Sequence, residues 1–394
     1  MYNYLIIGNG IAGLSCAEEI RKNDQAGSIL IVSSEKVKTY WRTRLSELIA
    51  KDFSLDDILV KSEAWYKDKN IEEELDTTVE NIDLASKKAK LSNGKEIEFE
   101  KVLIATGAHP FVPPIKNIDS EGVFAIRSAD DLINFKAYVK EKNNLVIIGG
   151  GILGLEAAFA AKEFGLDVSV VESFDYLLSR QLDRQLSEKL EKALNEIGIK
   201  TFTGKNTDEI ISKDGKVAGI KLSDGSEIPA DAVMVQAGVR SNLKLAQDSN
   251  IKTDRGVCVG EDLRSEEDDF VYAAGDVAQI GNFTIGLWTA SQEMGKIAGA
   301  NMTGDSKTYE KPKPFSTLML GDIKLFSAGM NSGEGVEEMK VEKEDKIYKL
   351  FKKDGQFVGG ILWKDIKFQT DVKKIVFEGV DPKETKLGEE IFGL

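Results

Sequence analysis

The chain has 394 residues, 42% hydrophobic and 30% charged, and its 52 Lys and Arg against 66 Asp and Glu leave a net charge of -14. At about 150 residues per domain this length implies two or three domains; the composition excludes disordered and fibrous classes, and the acidic balance argues against nucleic-acid phosphates and anionic membranes as partners. Cys16 and Cys258 are too few for a disulfide framework, a structural zinc site or an iron-sulfur cluster, so no metal site and a reducing, cytoplasmic setting are expected.

Tyr4 to Gly13 reads YLIIGNGIAG, an apolar run ending in glycines, and Leu14, Cys16, Ala17 and Ile20 continue it at helical spacing. The start lacks a signal peptide's charged region, and no apolar run approaches the roughly 18 to 20 residues of a membrane span, so neither export nor anchoring is expected. SILIVS at Ser28 to Ser33 closes a βαβ unit. Behind it come short strands with a hairpin turn at Asn93-Gly94, then the apolar strand KVLIATG from Lys101 to Gly107.

The design returns 141 residues later. Leu145 to Gly154 reads LVIIGGGILG, a helix runs to about Phe164, and DVSVVE ends a strand at Glu172. Hairpin turns fall at Asp214-Gly215 and Asp224-Gly225, and DAVMVQAG closes the copy at Asp231 to Gly238. A short strand, FVYAAGD at Phe270 to Asp276, precedes a glycine-rich loop and a helix from about Thr289 to Asn301, and its position suggests a return to the first domain. KPKP at Lys311 to Pro314 reads as a linker to further strands and an Asp354-Gly355 hairpin. Residues 305 to 394 contain 16 Lys and no Arg against 17 acidic residues, a distinct composition. The expected fold is α/β: two Rossmann-like nucleotide-binding domains, one at 1–107 with 232–304 and the other inserted at 108–231, plus a small α+β C-terminal domain at 305–394.

In Gly8-x-Gly10-x-x-Gly13 the first glycine allows a tight turn, the second lets backbone approach a pyrophosphate, and the third permits helix to pack closely on strand. Gly8, Asn9, Gly10, Ile11, Ala12 and Gly13 are therefore candidate ligand contacts at a helix N-terminus. Gly149, Gly151 and Gly154 repeat the pattern, and Glu172 follows Gly149 by 23 residues at a strand end. An acid there bonds an adenosine ribose and repels a 2′-phosphate, which points to NADH over NADPH. In the first copy the matching strand ends in Ser33-Ser34-Glu35, so Ser33 and Glu35 are the ribose candidates.

Together with Ala105-Thr106-Gly107 and Tyr272-Ala273-Ala274-Gly275-Asp276, these motifs resemble the FAD- and NAD-dependent pyridine nucleotide oxidoreductases over residues 1 to about 330. YWRTRLSELIA at Tyr40 to Ala50, SLDDILVKSEAWY at Ser54 to Tyr66 and RQLD at Arg180 to Asp183 are similar to NADH:rubredoxin oxidoreductases and to the N-terminal half of assimilatory nitrite reductase large subunits. The resemblance implies that the first motif binds FAD and the inserted domain NADH. It assigns Arg42 to the FAD pyrophosphate, the Val79 backbone to the adenine and Asp276 to the ribityl chain. Trp288 and Thr289 would lie along the isoalloxazine edge, with Arg127 a further flavin contact. Ala105, Thr106, Gly107 and Gly238 complete the cofactor-binding set, and Glu156 would hold the nicotinamide carboxamide near the flavin as the catalytic residue. Two departures stand out: Thr43 where many relatives have Pro, and Met319 where relatives often carry Lys.

Relatives that reduce disulfides or peroxide use a cysteine beside the flavin. Tyr40 to Ala50 contains none, CxxC is absent, and Cys16 and Cys258 both read as small core residues. His109, the only histidine, reads as structural. The flavin would then deliver electrons directly to a small carrier, rubredoxin by preference, docking on Lys36, Lys38, Arg42, Arg44, Lys311 and Lys313. NADH oxidase or another carrier reductase is the competing activity, and an FAD- and NAD-binding regulator the competing class. A nitrite reductase subunit is disfavoured by the lack of cysteines for siroheme and iron-sulfur groups.

Overall fold

A computed structural model describes residues 1–394. It contains two compact units: Met1–Arg44, Phe53–Phe111 and Gly238–Pro312 form the first, and Leu45–Asp52, Val112–Ala237 and Lys313–Leu394 the second.

In the first unit, Tyr2–Ile7 (β1) is followed by Ile11–Asn23 (α1) and by Ile29–Val32 (β2), which pairs parallel to β1 with Tyr4 opposite Ile29 and Ile7 opposite Val32. The inner residues of β1 and all of β2 are buried, as strands covered on both faces require. After the short helix Glu63–Asp68 (α2), Ile71–Glu74 (β3) extends the sheet beyond β2. Val79–Asp83 (β4), Lys88–Leu91 (β5) and the first part of Glu96–Ile104 (β6) form an antiparallel meander, and the rest of β6 pairs parallel with β1. Ala108–Pro110 (β7) ends this segment.

The second unit repeats the plan. Val123–Phe124 (β8), Ala129–Val139 (α3), Asn144–Ile148 (β9), Ile152–Glu163 (α4), Asp167–Val171 (β10), Arg184–Glu196 (α5) and Ile199–Phe202 (β11) precede a meander of Thr207–Lys213 (β12), Lys216–Leu222 (β13) and Glu227–Pro229 (β14). Ala232–Val235 (β15) then completes a five-stranded parallel sheet of order β11-β10-β9-β15-β8. This corrects the boundary read at 231/232. β15 is apolar and wholly buried, and it satisfies its backbone against β9 and β8, so the inserted segment runs to Ala237.

Back in the first unit, Val239–Ser241 (β16) pairs antiparallel with β7, and Lys244–Asp248 (α6) follows. Val257–Val259 (β17), Val271–Ala273 (β18), Ala278–Ile280 (β19) and Phe283–Thr284 (β20) precede Trp288–Met302 (α7). β18 pairs parallel with β6, giving a parallel core of order β3-β2-β1-β6-β18, the same arrangement as the second unit's sheet.

In the second unit's last segment, Phe315–Leu320 (β21), Ile323–Gly329 (β22), Val336–Lys343 (β23), Lys346–Lys353 (β24) and Gln356–Trp363 (β25) form an antiparallel sheet of order β21-β22-β25-β24-β23, covered by Gln369–Glu378 (α8). Asp354 and Gly355, at φ 50° and 83°, make the two-residue turn their sequence suggested. Lys349 of β24 is 2% exposed, and its Nζ lies 2.6 Å from Asp183 and 3.1 Å from Glu338, while Ser327 Oγ donates to the Gln181 carbonyl at 2.7 Å. Residues of the RQLD segment thereby bind the C-terminal sheet to the rest of its unit.

The tightest packing in the first unit is α1 against α7. A Cβ on Gly295 would sit 2.2 Å from the Ala12 carbonyl oxygen, and one on Gly299 would sit 2.6 Å from that of Cys16, so a glycine stripe four residues apart brings the two backbones into contact. Gly295→Ala should therefore force the helices apart and destabilise the fold by about 1 to 3 kcal/mol. Urea unfolding should show a lower midpoint at unchanged slope; an unchanged midpoint would mean the helices part without cost.

Candidate functional site

The first glycine turn separates glycines the fold needs from one it does not. Gly8 adopts φ 113°, and its Cβ would meet the Ala105 carbonyl oxygen at 2.2 Å; a Cβ on Gly13 would meet the Gly8 carbonyl oxygen at 2.0 Å. Gly10 has ordinary extended backbone, φ -85° and ψ -175°, and a Cβ there would meet nothing within 4 Å. Protein packing gives no reason for glycine at that point. A ligand pressed against the backbone does. α1 also has no side-chain cap and no acid in its first turn, whereas α2, α3 and α5 are capped by Ser62, Ser128 and Asp183. Uncapped N–H groups, the positive end of the helix and open space at Gly10 fit an anionic pyrophosphate.

Around this cradle the candidate residues fall into two groups. Asn9 and Ser33 are spent internally: the Asn9 side chain accepts from Thr39 Oγ1 at 2.5 Å and donates to Glu73 at 3.0 Å, and Ser33 Oγ accepts the Glu35 N–H at 3.2 Å. Asp276, Ala105 and Thr106 border the turn. A Cβ on Gly275 would lie 3.0 Å from the Ala12 Cβ, which puts the neighbouring Asp276 beside the start of α1, where its carboxylate accepts from Ser291 Oγ at 3.1 Å. Asn242 holds Thr106 through both backbone and side chain, and its Oδ1 lies 2.7 Å from His109 Nδ1, so the lone histidine braces the turn. Gly107 and Gly238, both at positive φ, flank the β7–β16 ribbon.

Arg42 Nη2 lies 2.5 Å from Glu35 Oε1, and the Tyr40 hydroxyl donates to the other Glu35 oxygen at 2.7 Å. Burial opposes the Arg42 charge, but Tyr40, Glu35 and Asp276 outweigh it and raise the guanidinium above its ordinary pKa. Val79, buried, opens β4 opposite Leu91. Trp288 begins α7 and stacks on Trp41 with ring centroids 5.4 Å apart, with Thr289 exposed beside it. Trp41 lies inside the motif from Tyr40 to Ala50, yet an exposed tryptophan carries no spacing signal that would single it out.

The second cradle has the same logic in its own unit. A Cβ on Gly149 would clash with the Gln236 carbonyl oxygen at 2.3 Å and one on Gly154 with that of Gly149 at 2.0 Å, while Gly151, at φ -74° and ψ 176°, faces open space at the uncapped start of α4. Glu172 Oε2 accepts the Gly150 N–H at 2.7 Å, and Oε1 accepts that of Phe174 at 2.9 Å, which anchors the carboxylate at the glycine turn. Lys205, whose backbone N–H donates to the Glu172 carbonyl at 3.1 Å, has its side chain paired with Asp224 at 2.6 Å. Glu156 lies one turn into α4, half-buried. Arg127 also belongs to this unit, where its N–H donates to Asp131 at 3.0 Å ahead of α3.

Cys16 is fully buried with Sγ 3.7 Å from Met302 Sδ, and burial pushes its thiol far above the ordinary range. Cys258 departs from the core position read for it. β17 is a short outer strand, so its middle residue is partly exposed; burial and then Glu266 raise its thiol pKa. The proposed basic docking set is also partly consumed: Lys38 pairs with Glu73, Arg42 with Glu35, and Lys313 donates to the Phe377 carbonyl.

The model of the family described as pyridine nucleotide-disulphide oxidoreductase matches residues 2–295. The chain belongs to this family, whose members use FAD and NADH. Over 373 residues it is 32% identical to an NADH-rubredoxin oxidoreductase of Clostridium acetobutylicum, covering 94% of this chain and 93% of that protein. It is likewise 32% identical over 387 residues to a nitrite reductase of Bacillus subtilis, covering 97% of this chain; the chain spans only about half of that protein's length, 48%. The crystal structure of the Clostridium acetobutylicum NADH:rubredoxin oxidoreductase superposes with a TM-score of 0.83 at 30% identity, covering 98% of this chain and 97% of that one. No helix of this family member is long and apolar enough to cross a membrane.

Because Gly10 and Gly151 have backbone that alanine adopts freely, Gly10→Ala and Gly151→Ala should keep apoprotein stability within about 1 kcal/mol of the parent. The methyl would stand where the phosphates press, so dinucleotide affinity should fall about 5- to 150-fold, for FAD in the first variant and NADH in the second. Thermal unfolding of apoprotein beside FAD and NADH titrations checks both halves; a parallel loss of stability and affinity would make these glycines structural.

Proposed function

We propose that this protein is an NADH-dependent flavoprotein reductase that passes electrons singly to a small redox protein, rubredoxin by preference. The observation that carries the reading is the pair of open glycine cradles, one in each of two repeated units, each at an uncapped helix start. FAD, when bound, takes a hydride from NADH and gives up the two electrons one at a time. The chain's own work is binding and orientation. The start of α1 and Arg42 neutralise the FAD pyrophosphate, which requires Arg42 to exchange Glu35 for phosphate, a partner its planar donor fork suits. Glu35, released, is free to take ribose hydroxyls. Asp276 accepts from the ribityl hydroxyls, which meet the need of a half-buried carboxylate for donors.

In the second unit Glu172 selects the unphosphorylated adenosine ribose and Glu156 orients the nicotinamide carboxamide. The rubredoxin assignment is supported by the near full-length match to the clostridial enzyme. Trp41, 40% exposed, and Leu287, 45% exposed, offer an apolar contact beside Trp288 for the acceptor. Anaerobic NADH should bleach the bound flavin rapidly, which a nucleotide-binding regulator would not do. Turnover against rubredoxin, ferredoxin, oxygen and disulfides then ranks acceptors; fastest turnover with oxygen would make the protein an NADH oxidase instead.

With Glu172 fixed at the turn and Lys205 paired with Asp224, a 2′-phosphate meets a carboxylate. Preference for NADH over NADPH of about 5- to 150-fold in kcat/KM is expected, and equal or better values with NADPH would refute this role. Turnover should also pass through no protein thiol, since Cys16 is buried and Cys258 has no thiol partner. A flavin-replete Cys16→Ser, Cys258→Ser double variant should still reduce a one-electron acceptor, and NADH should deliver two electrons per FAD. Uptake of four electrons, or loss of acceptor reduction in the folded variant, would overturn direct transfer.

A further inference from the structure

Behind the first cradle lies a chain of buried polar contacts that ligand binding at the glycines does not by itself explain. Asn9 stands between Gly8 and Gly10 and is 7% exposed. Its side-chain oxygen accepts from Thr39 Oγ1 at 2.5 Å, Thr39 Oγ1 accepts from the Tyr66 hydroxyl at 3.3 Å, and Asn9 Nδ2 donates to Glu73 at 3.0 Å. All of these residues belong to the first unit. β3 reads IEEE, and the pleat divides its three glutamates: Glu72 accepts from the Tyr2 hydroxyl at 2.7 Å and Glu74 pairs with Lys95, while Glu73 faces the other way, toward Asn9. The Glu73 side chain is only 8% exposed, a burial that is costly for a carboxylate unless it is paired.

Lys38 supplies the pair. Its Nζ meets the second Glu73 oxygen, lies 4.7 Å from the centre of the Tyr66 ring, and reaches Glu63 at 3.7 Å. Glu63 is 65% exposed, so solvent screens it, and Glu73 is the partner that matters. Charge, and not hydrogen bonding alone, therefore decides how this brace acts on the cradle. A carboxylate one side chain away from the turn between Gly8 and Gly10 repels an anion bound there, and an ammonium on that carboxylate cancels the repulsion.

We propose that Glu73 and Lys38 are positioning residues for the FAD pyrophosphate: Glu73 fixes Asn9, and with it the turn between Gly8 and Gly10, and Lys38 cancels the charge that this fixing places behind an anion site. This rests on the reading that FAD occupies the first cradle. The two side chains, with Tyr66, border a cavity of about 1000 Å³. Water entering it keeps Glu73 ionised when Lys38 is removed, so the cradle then feels the bare charge. The pair thus separates two contributions of opposite sign. Loss of the cation weakens FAD binding, and loss of the acid strengthens it, since an amide in place of the carboxylate still accepts from Asn9. A brace that acts by shape alone would lose affinity in both cases.

The test is the FAD dissociation constant, read from flavin fluorescence as the holoprotein is diluted. Lys38→Met should raise it about 5- to 150-fold and Glu73→Gln should lower it about 2- to 5-fold, whereas the Lys38→Met, Glu73→Gln double variant should return to within about 2-fold of the parent. Should Lys38→Met fail to fold around its unpaired acid, the other two variants decide, because neither buries a lone carboxylate. Unchanged or weaker FAD binding in Glu73→Gln, an unchanged constant in folded Lys38→Met, or a double variant markedly weaker than the parent would overturn the proposal. Failure of the underlying reading looks different: Gly10→Ala would then leave FAD affinity unchanged, whereas failure of the brace alone leaves the Gly10→Ala loss in place.

Discussion

Everything at the first cradle depends on backbone touching backbone around the start of α1. The Gly8 turn lies against the Ala105 carbonyl, Gly13 returns onto Gly8, Gly275 comes up against Ala12, and Gly295 of α7 meets the Ala12 carbonyl. Three other stretches of chain therefore converge on one turn, those of Ala105 and Gly295 at distances that leave no room for a Cβ and that of Gly275 in tight contact. This convergence fixes where Asp276, Trp288 and Thr106 stand relative to the free N–H groups of α1. A side chain added at any of these glycines would displace several candidate ligand contacts at once. Open space at Gly10, in the middle of so dense a region, is informative for that reason.

The second unit reaches an equivalent turn by the same sheet order, but its electrostatics differ. At the first cradle a guanidinium waits in an ion pair with Glu35, a group that exchanges one anionic partner for another. At the second, the anchored charge is Glu172, and the neighbouring Lys205 is paired with Asp224. One design thus presents a cation to a ligand and the other an anion. That difference is what the proposed assignment of two different dinucleotides to two copies of the same motif draws on.

Much of this was legible in the sequence because it is written locally. Glycine spacing, apolar runs and the 141-residue repeat need only near neighbours in the chain, and the strands and helices they imply lie within a few residues of those seen. What escaped is set by long-range pairing. Ala232–Val235 looks like the matching end of KVLIATG, and nothing local tells which sheet it joins. Leu45–Asp52 reads as a continuation of the motif carrying Arg42, although Lys136, some 90 positions on, donates to the Leu48 carbonyl and claims it for the second unit. Cys258 sits between two valines as a core residue would, but the outer position of its strand exposes it. Lys349 looks like a solvated lysine until Asp183 and Glu338 are brought to it across more than 150 and about 10 residues respectively.

The β7–β16 ribbon has a consequence for synthesis. Phe111 N–H donates to the Gly238 carbonyl at 2.8 Å, so the ends of the inserted segment are side by side, and the host unit closes over the insertion as over a tight hairpin. The host nevertheless needs α7, which begins at Trp288. At about 5 to 20 residues per second, roughly 9 to 35 s pass between the emergence of Phe111 and that of Trp288. For most of that interval β1 to β6 lack β18 and α1 lacks its glycine-striped partner, whereas the parallel sheet of the inserted segment has all its strands once Val235 emerges, ahead of both. The first cradle is thus the later of the two to form on the ribosome although its motif is the first to be translated, and the apolar face of α1 is the surface that a nascent-chain chaperone would meet.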